Sequence, residues 1–242
     1  EIASQKINCV LVDIDQEGLE SVAAELTGEN AVETRPVHVN LAKERFLDGL
    51  LPATKDLQIG LLVNNAGIGC GGAVASRDFD RMSQLVMLNC HAPVLLTRAM
   101  LPGMLTRQRG GIVFVSSLQA FISSPYEATY CASKAFNLHF GESLWGELRK
   151  KPVDCITVCP AGMKTNFFRA DGHSQESCDR MWKFSSEPAD IARMALQQLG
   201  KKPVVAPKVT LAVHFLSRLL PRKIITRGSE KLARKLVNYQ RT

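Results

Sequence analysis

The sequence predicts an α/β protein built on a doubly wound parallel sheet. Two observations point there. Strand-like apolar runs at 8–12, 59–63, 111–115 and 153–158 alternate with longer helical patterns. The runs are apolar almost throughout, the pattern of strands covered on both faces and joined by right-handed helical crossovers. Size agrees: 242 residues, 45% hydrophobic and 22% charged, suit one large domain and exclude wholesale disorder or a fibrous repeat.

Each element has its own signal. Residues 8–12 form a short apolar strand, after which Asp15 caps a helix running to 26. Residues 37–39 follow, then a helical stretch to about 55. The strand at 59–63 stops at Asn64-Asn65-Ala66-Gly67. One long helix covers 78–105, with Pro93 and Pro102 placed to bend or shorten it. Strand 111–115, helix 127–150 and strand 153–158 complete the pattern. The chain opens at Glu1 in what reads as a helix end running into a strand. A fold of this kind starts one strand earlier, with a glycine-rich turn, so the first strand and that turn read as absent and the chain as N-terminally truncated by roughly twenty residues. Residues 1–207 are read as the α/β domain and 208–242 as its helical basic C-terminal extension.

Composition narrows the function classes. No apolar run reaches the roughly 18 residues of a membrane span, and no secretory signal opens the chain. Seven scattered cysteines, the nearest pair being Cys155 and Cys159, read as reduced thiols in a cytoplasmic protein. Five scattered histidines offer no metal spacing, so no metal is expected. The net charge of +7 is uneven: residues 200–242 hold eleven Lys and Arg against the single acid Glu230, and the rest is slightly acidic. With no aromatics interleaved among those charges, nucleic acid is not the expected partner.

The strongest chemical signal is Tyr130-Cys131-Ala132-Ser133-Lys134. Residues four apart on a helix share a face, so Lys134 can lower the Tyr130 pKa and let the phenol trade a proton. Such a pair alone is common by chance. Its neighbours make it specific: Ser117 lies thirteen residues upstream at a strand end, and Asn89 forty-one residues upstream. Asn64-Asn65-Ala66-Gly67 and 160–165 each follow a strand, and ligands of parallel sheets gather at the carboxyl ends of strands.

With these residues the sequence resembles the short-chain dehydrogenase/reductase family, from the second family strand onward. The resemblance implies a Rossmann-like fold and NAD(P)-dependent interconversion of alcohols and carbonyls. It makes Tyr130 the general acid/base, has Ser117 hold the substrate oxygen, and has Lys134 lower the Tyr130 pKa and hold the nicotinamide ribose. Asn89 anchors a water that links Lys134 to solvent. On the cofactor side it implies Asn40, where the family usually has Asp, with Leu41, then Asn65, Ala66 and Gly67. Pro160, Gly162, Met163 and Thr165 complete the set, although Ala161 departs from the family's usual glycine. Asp13 ends the strand at 8–12, where an acid accepts from the adenine ribose 2′-hydroxyl and repels a 2′-phosphate, so NAD is expected, with NADP left open.

The substrate expected is a small-molecule alcohol or ketone. The tail most resembles family members that act on lipids, steroids or acyl chains, and Trp182 and Phe184 in a lid at 166–187 suit an apolar substrate. Trp145 reads as core or interface. In the tail, Leu232, Leu236 and Val237 mark one face of a helix and Lys231, Arg234 and Lys235 the other. That helix reads either as a cover over the pocket or a dimer contact, or as a peripheral membrane contact and membrane association. A homo-oligomer through the long helices is expected by analogy. The alternative to an enzyme is a non-catalytic dinucleotide-binding or membrane-surface protein of the same fold.

Overall fold

The described strands all pair in parallel, as the apolar runs led one to expect. In this computed structural model, residues 1–183 and 185–237 are described, the last three by their backbone. Phe184 and the side chains of Lys235, Leu236 and Val237 therefore lie outside the described residues. The chain divides into two compact units, Glu1–Gln58 and Ile59–Thr242.

In the first unit, β1 (Cys9–Asp13) leads into α1 (Gln16–Asn30), which Asp15 caps by accepting from the Gly18 N–H at 3.1 Å. The helix runs one turn beyond the expected end. β2 (Thr34–His38) pairs in parallel with β1, from Cys9 opposite Thr34 to Asp13 opposite His38. Leu19 and Ala23 of α1 are buried, as are Phe46 and Leu50 at α2 (Leu47–Thr54).

In the second unit, β3 (Leu61–Asn64) is followed by α3 (Phe79–Val86), a single π turn at Met87–His91, and α4 (Ala92–Thr106). This is the long helix foreseen, and Pro93 explains its irregularity. Proline has no N–H for the Asn89 carbonyl, and its ring crowds that carbonyl. The ladder shifts to a wider turn, with the Ala92 N–H bonding Met87 O. Phe79–Thr106 is also long and apolar enough by composition to cross a membrane, a point the search for apolar runs missed. Here Leu85, Leu96 and Met104 of this helix are buried in the protein, and α4 packs on β3 and on β4 (Gly110–Val115).

β4 is followed by α5 (Ala128–Leu148) and β5 (Val153–Val158). Then come the short helices α6 (Phe167–Ala170), α7 (Gln175–Trp182) and α8 (Pro188–Gln198), and β6 (Val204–Val205). The helices α9 (Lys208–Leu219) and α10 (Arg222–Val237) end the described chain. β3, β4, β5 and β6 form one parallel sheet in that order. Successive β4 side chains point to opposite faces: Ile112 and Phe114 pack with Met104, Leu144 and Leu148, and Val113 packs with Ile156, Ile191 and Ala195. Helices thus cover both faces.

The strands form two sheets and not one. Among the described residues β1 pairs only with β2 and β3 only with β4, and no segment stands in for the strand that the sequence reading finds absent.

Candidate active site

The site in the second unit forms where β3, β4 and β5 end side by side. Two backbone bonds and one from a serine hydroxyl fasten those ends beyond the strands. The Ser116 N–H donates to Val158 O at 2.8 Å, Leu118 N–H to Pro160 O at 2.7 Å, and the Ser116 hydroxyl to Lys134 O at 2.7 Å. The loop after β4 is thereby fastened both to the loop after β5 and to α5.

α5 brings Tyr130 and Lys134 to these strand ends. It can lie close to the sheet because Gly141 faces Thr157: a Cβ there would collide with the Thr157 hydroxyl and sit 3.1 Å from Phe114. About two and three turns nearer the helix N-terminus, Lys134 and Tyr130 share the face turned to the strand ends, with Lys134 Nζ 5.6 Å from the Tyr130 ring centre. Lys134 is 4% exposed and donates to Val115 O at 2.9 Å. Burial pushes its ammonium down to about 8, against 10.5 ordinarily. Burial also pushes the Tyr130 phenol far above its usual range, and the hydrogen bond it shares with the buried Ser117 offsets only part of this. The sequence reading expects the ammonium to lower that pKa. In this arrangement desolvation dominates, and the carboxylates of Glu127 and Asp171 push in the same upward direction.

Asn89 is fully buried in the π turn, where the local widening aims its amide at the loop after β3. Its Oδ1 accepts from the Ile68 N–H at 3.0 Å, and its Nδ2 donates to Ile68 O and to the Ser133 hydroxyl, each at 3.0 Å. Ser133 in turn donates to Tyr130 O at 2.8 Å. A continuous chain of bonds therefore runs from the β3 loop through Asn89 to the backbone of Tyr130. Gly67 closes the same corner: a Cβ would stand 3.2 Å from Asn89 Oδ1 and 3.4 Å from Lys134 Nζ. Asn65 and Ala66 are exposed beside it, and Asn64 is buried with neither amide atom paired among the described residues.

After β5, Pro160 is fully buried. Gly162 lies against Ser185, where any Cβ would clash, and its carbonyl accepts from Ser186 N–H at 2.9 Å. Met163 bridges to Ser186, and the Thr165 hydroxyl accepts from Phe167 N–H at 3.3 Å, turning the chain into α6. Phe167 then sets its ring 5.5 Å from that of Tyr130, with Phe168 5.8 Å further on.

The other three expected cofactor residues belong to the first unit, at the carboxyl ends of β1 and β2. Asp13 is exposed, and its Oδ1 accepts from the N–H groups of Ile14 at 2.7 Å and Asp15 at 3.0 Å. Asn40 Oδ1 accepts from Ala42 N–H at 2.9 Å, and Leu41 is buried.

Sequence reasoning missed Ser116, Ser133, Phe167 and Asp171. Ser116 and Ser133 adjoin recognised residues, but nothing in the string separates a serine that fastens backbone from a solvated one. Asp171 lies in the expected lid, its side chain 6% exposed, accepting from Gly71 N–H at 3.2 Å. Trp182 packs under the Arg169 guanidinium at 5.2 Å.

The residues present fit a nicotinamide nucleotide. The missing side chain at Gly67 leaves open a corner walled by the buried Lys134 ammonium and the Asn89 amide, and Tyr130 lies beside Lys134 on α5. Such a donor set suits a ribose diol and a carboxamide.

Comparison with known proteins agrees with that chemistry. A family model described as short chain dehydrogenase matches residues 1–176. The chain is 31% identical over 223 residues to dehydrogenase/reductase SDR family member 7B of Bos taurus, covering 85% of this chain and 68% of that protein. It is 29% identical over 202 residues to a very-long-chain 3-oxoacyl-CoA reductase of Anas platyrhynchos, covering 81% of this chain and 64% of that one. Among solved structures, a 7beta-hydroxysteroid dehydrogenase superposes with a TM-score of 0.85 at 21% identity, over 94% of this chain and 89% of that one. A short-chain dehydrogenase from Sphingobium yanoikuyae in complex with NADPH superposes with 0.79 at 24%, over 90% and 84%. These two likenesses show a shared fold.

Proposed function

The chain belongs to the short-chain dehydrogenase family and is an NAD(P)-dependent oxidoreductase, and from that premise we propose that it interconverts a ketone and an alcohol on a lipophilic substrate of the steroid or long-chain acyl type. The observation that carries the substrate class is the aromatic wall of Phe167 and Phe168 set against Tyr130. The names of the relatives, a 3-oxoacyl-CoA reductase and a hydroxysteroid dehydrogenase, support the same class.

In this reading a bound nicotinamide supplies the hydride chemistry. The chain's own part is to hold the substrate oxygen and manage its proton. The Ser117 and Tyr130 hydroxyls donate to the carbonyl oxygen, and their hydrogen bonds strengthen as that oxygen gains charge. Tyr130, kept protonated by burial, delivers its proton to the alkoxide and takes it back in the reverse direction. Lys134, whose pKa is about 8, restores the phenol's proton by way of solvent or the cofactor ribose, which it also holds. Asn89 and Ser133 position Tyr130 by fixing its backbone to the β3 loop. Gly67, Asn65, Ala66, Pro160, Gly162, Met163 and Thr165 line the cofactor side. Asp13, Asn40 and Leu41 serve the adenine end, with Asp13 favouring NAD over NADP.

Turnover is followed at the nicotinamide band with a panel of 3-oxoacyl-CoA and ketosteroid substrates. Tyr130→Phe is expected to lower turnover by at least about 100-fold while nicotinamide binding persists. Unchanged turnover in that variant removes Tyr130 from the mechanism. Fluorescence titration with NADH and NADPH checks the cofactor preference, and tighter NADPH binding overturns the role of Asp13.

A further inference from the structure

The two tail helices are built inside out. On α9 the inward face carries Thr210, fully buried, and His214, whose ring packs 4.2 Å from that of Phe121. Neither the Thr210 hydroxyl nor His214 Nδ1 has a hydrogen-bond partner among the described residues. The outward face carries Val209, Phe215, Leu216 and Leu219, between 53% and 64% exposed. On α10, Ser229 and Arg234 turn inward with Ala233, and Ile224 and Leu232 stand out at 54% and 56%. Ile224, Gly228 and Leu232 recur every four residues as one outward row, and Lys223, Arg227 and Lys231 form the next. A surface helix facing water has the opposite arrangement.

The charge around this face has a single sign. Lys208, Arg218, Arg222, Lys223, Arg227 and Lys231 are all exposed, and Glu230, the one acid of the tail, is tied to Arg234 at 3.0 Å. We propose that the outward apolar face of α9 and α10, bordered by these cations, docks on an anionic bilayer surface. Apolar side chains then enter the acyl boundary while the cations meet lipid phosphates and carboxylates. A second copy of the same face fits less well, because a two-fold contact would bring like charges together.

The docked helices are fastened to the segment between Ser117 and Tyr130. Arg234 bonds the Tyr126 hydroxyl and lies 4.9 Å over its ring, and the Ser229 hydroxyl donates to Ser123 O at 2.6 Å. α10 also packs against α7 of the segment that carries Phe167. Docking holds the substrate-side loops near the membrane; that consequence rests on the lipophilic substrate proposed above, whereas the docking itself does not.

The test is sedimentation of the protein with phosphatidylcholine vesicles, with and without phosphatidylserine. Binding is expected only with the anionic lipid, falling as salt rises. Phe215→Glu with Leu219→Glu is expected to weaken it by about 100-fold. Lys223→Gln, Arg227→Gln and Lys231→Gln together are expected to cost roughly 5-fold per cation. None of these residues belongs to the catalytic machinery, so turnover of a soluble substrate and the thermal transition stay as in the wild type. If the apolar variant fails to fold, the charge variant decides alone. Equal binding to neutral vesicles, no binding to anionic ones, or binding that survives the substitutions overturns the proposal. A dimer dissociated by Phe215→Glu, seen by light scattering without vesicle binding, also overturns it and assigns the face to a second copy.

Discussion

Lys134 gives the sharpest test of the site, because burial lowers the pH at which the native protein releases its proton. Its pKa is about 8 in the folded protein against 10.5 ordinarily. Between those values the unfolded chain holds a proton that the native protein has released, so stability rises with pH. At 1.36 kcal/mol per pKa unit, the contribution gained between about pH 7 and 10 is about 2 kcal/mol. Other groups work against it. Cys155 and Cys159 are pushed up to about 12 by burial, and Tyr130 is raised further. Each of these keeps its proton in the native protein while the unfolded chain ionises, so each costs stability as pH rises past 9 or 10. The measurement must therefore be a difference. Urea unfolding of the wild type and of Lys134→Met is followed at several pH values in that range. Loss of the bond to Val115 O shifts the variant by a constant, whereas the titration of Lys134 appears only as a slope. The wild type is expected to gain about 2 kcal/mol on the variant as pH rises. Parallel curves would refute the claim that burial lowers the Lys134 pKa.

Two further predictions concern the supports of the site. Gly141→Ala drives a Cβ into the Thr157 hydroxyl, so despite alanine's better helix propensity it is expected to destabilise the protein by about 1–3 kcal/mol in urea unfolding. Asn89→Ala leaves the Ile68 N–H without its partner, at a cost of about 1–3 kcal/mol. It also cuts the link from the β3 loop to Ser133 and so to Tyr130, so kcat is expected to fall while KM changes little, and a variant with lost stability but wild-type kcat would reduce Asn89 to a structural role.

Much of the fold was legible because parallel strands covered on both faces must be apolar throughout. That is why 153–158 and 111–115 are readable at nearly their true bounds. The spacing of Tyr130 to Lys134 was equally legible, since helical periodicity places four-apart residues on one face whatever surrounds them. Other features depend on contacts between distant segments. The sequence shows Pro93, but only the packed helix shows the π turn that aims Asn89 at Ile68. The chain carries Lys134 four residues from Tyr130, which suggests a lowered phenol pKa, yet desolvation is a property of the whole surroundings and raises it instead. The tail makes the same point. Its string reads as an amphipathic basic helix with Arg234 on the charged, solvent-facing side. Tyr126, more than a hundred residues away, draws Arg234 inward and leaves Leu232 facing out. Periodicity along a chain determines which residues share a face, and the partner that covers that face is decided only when the rest of the chain arrives.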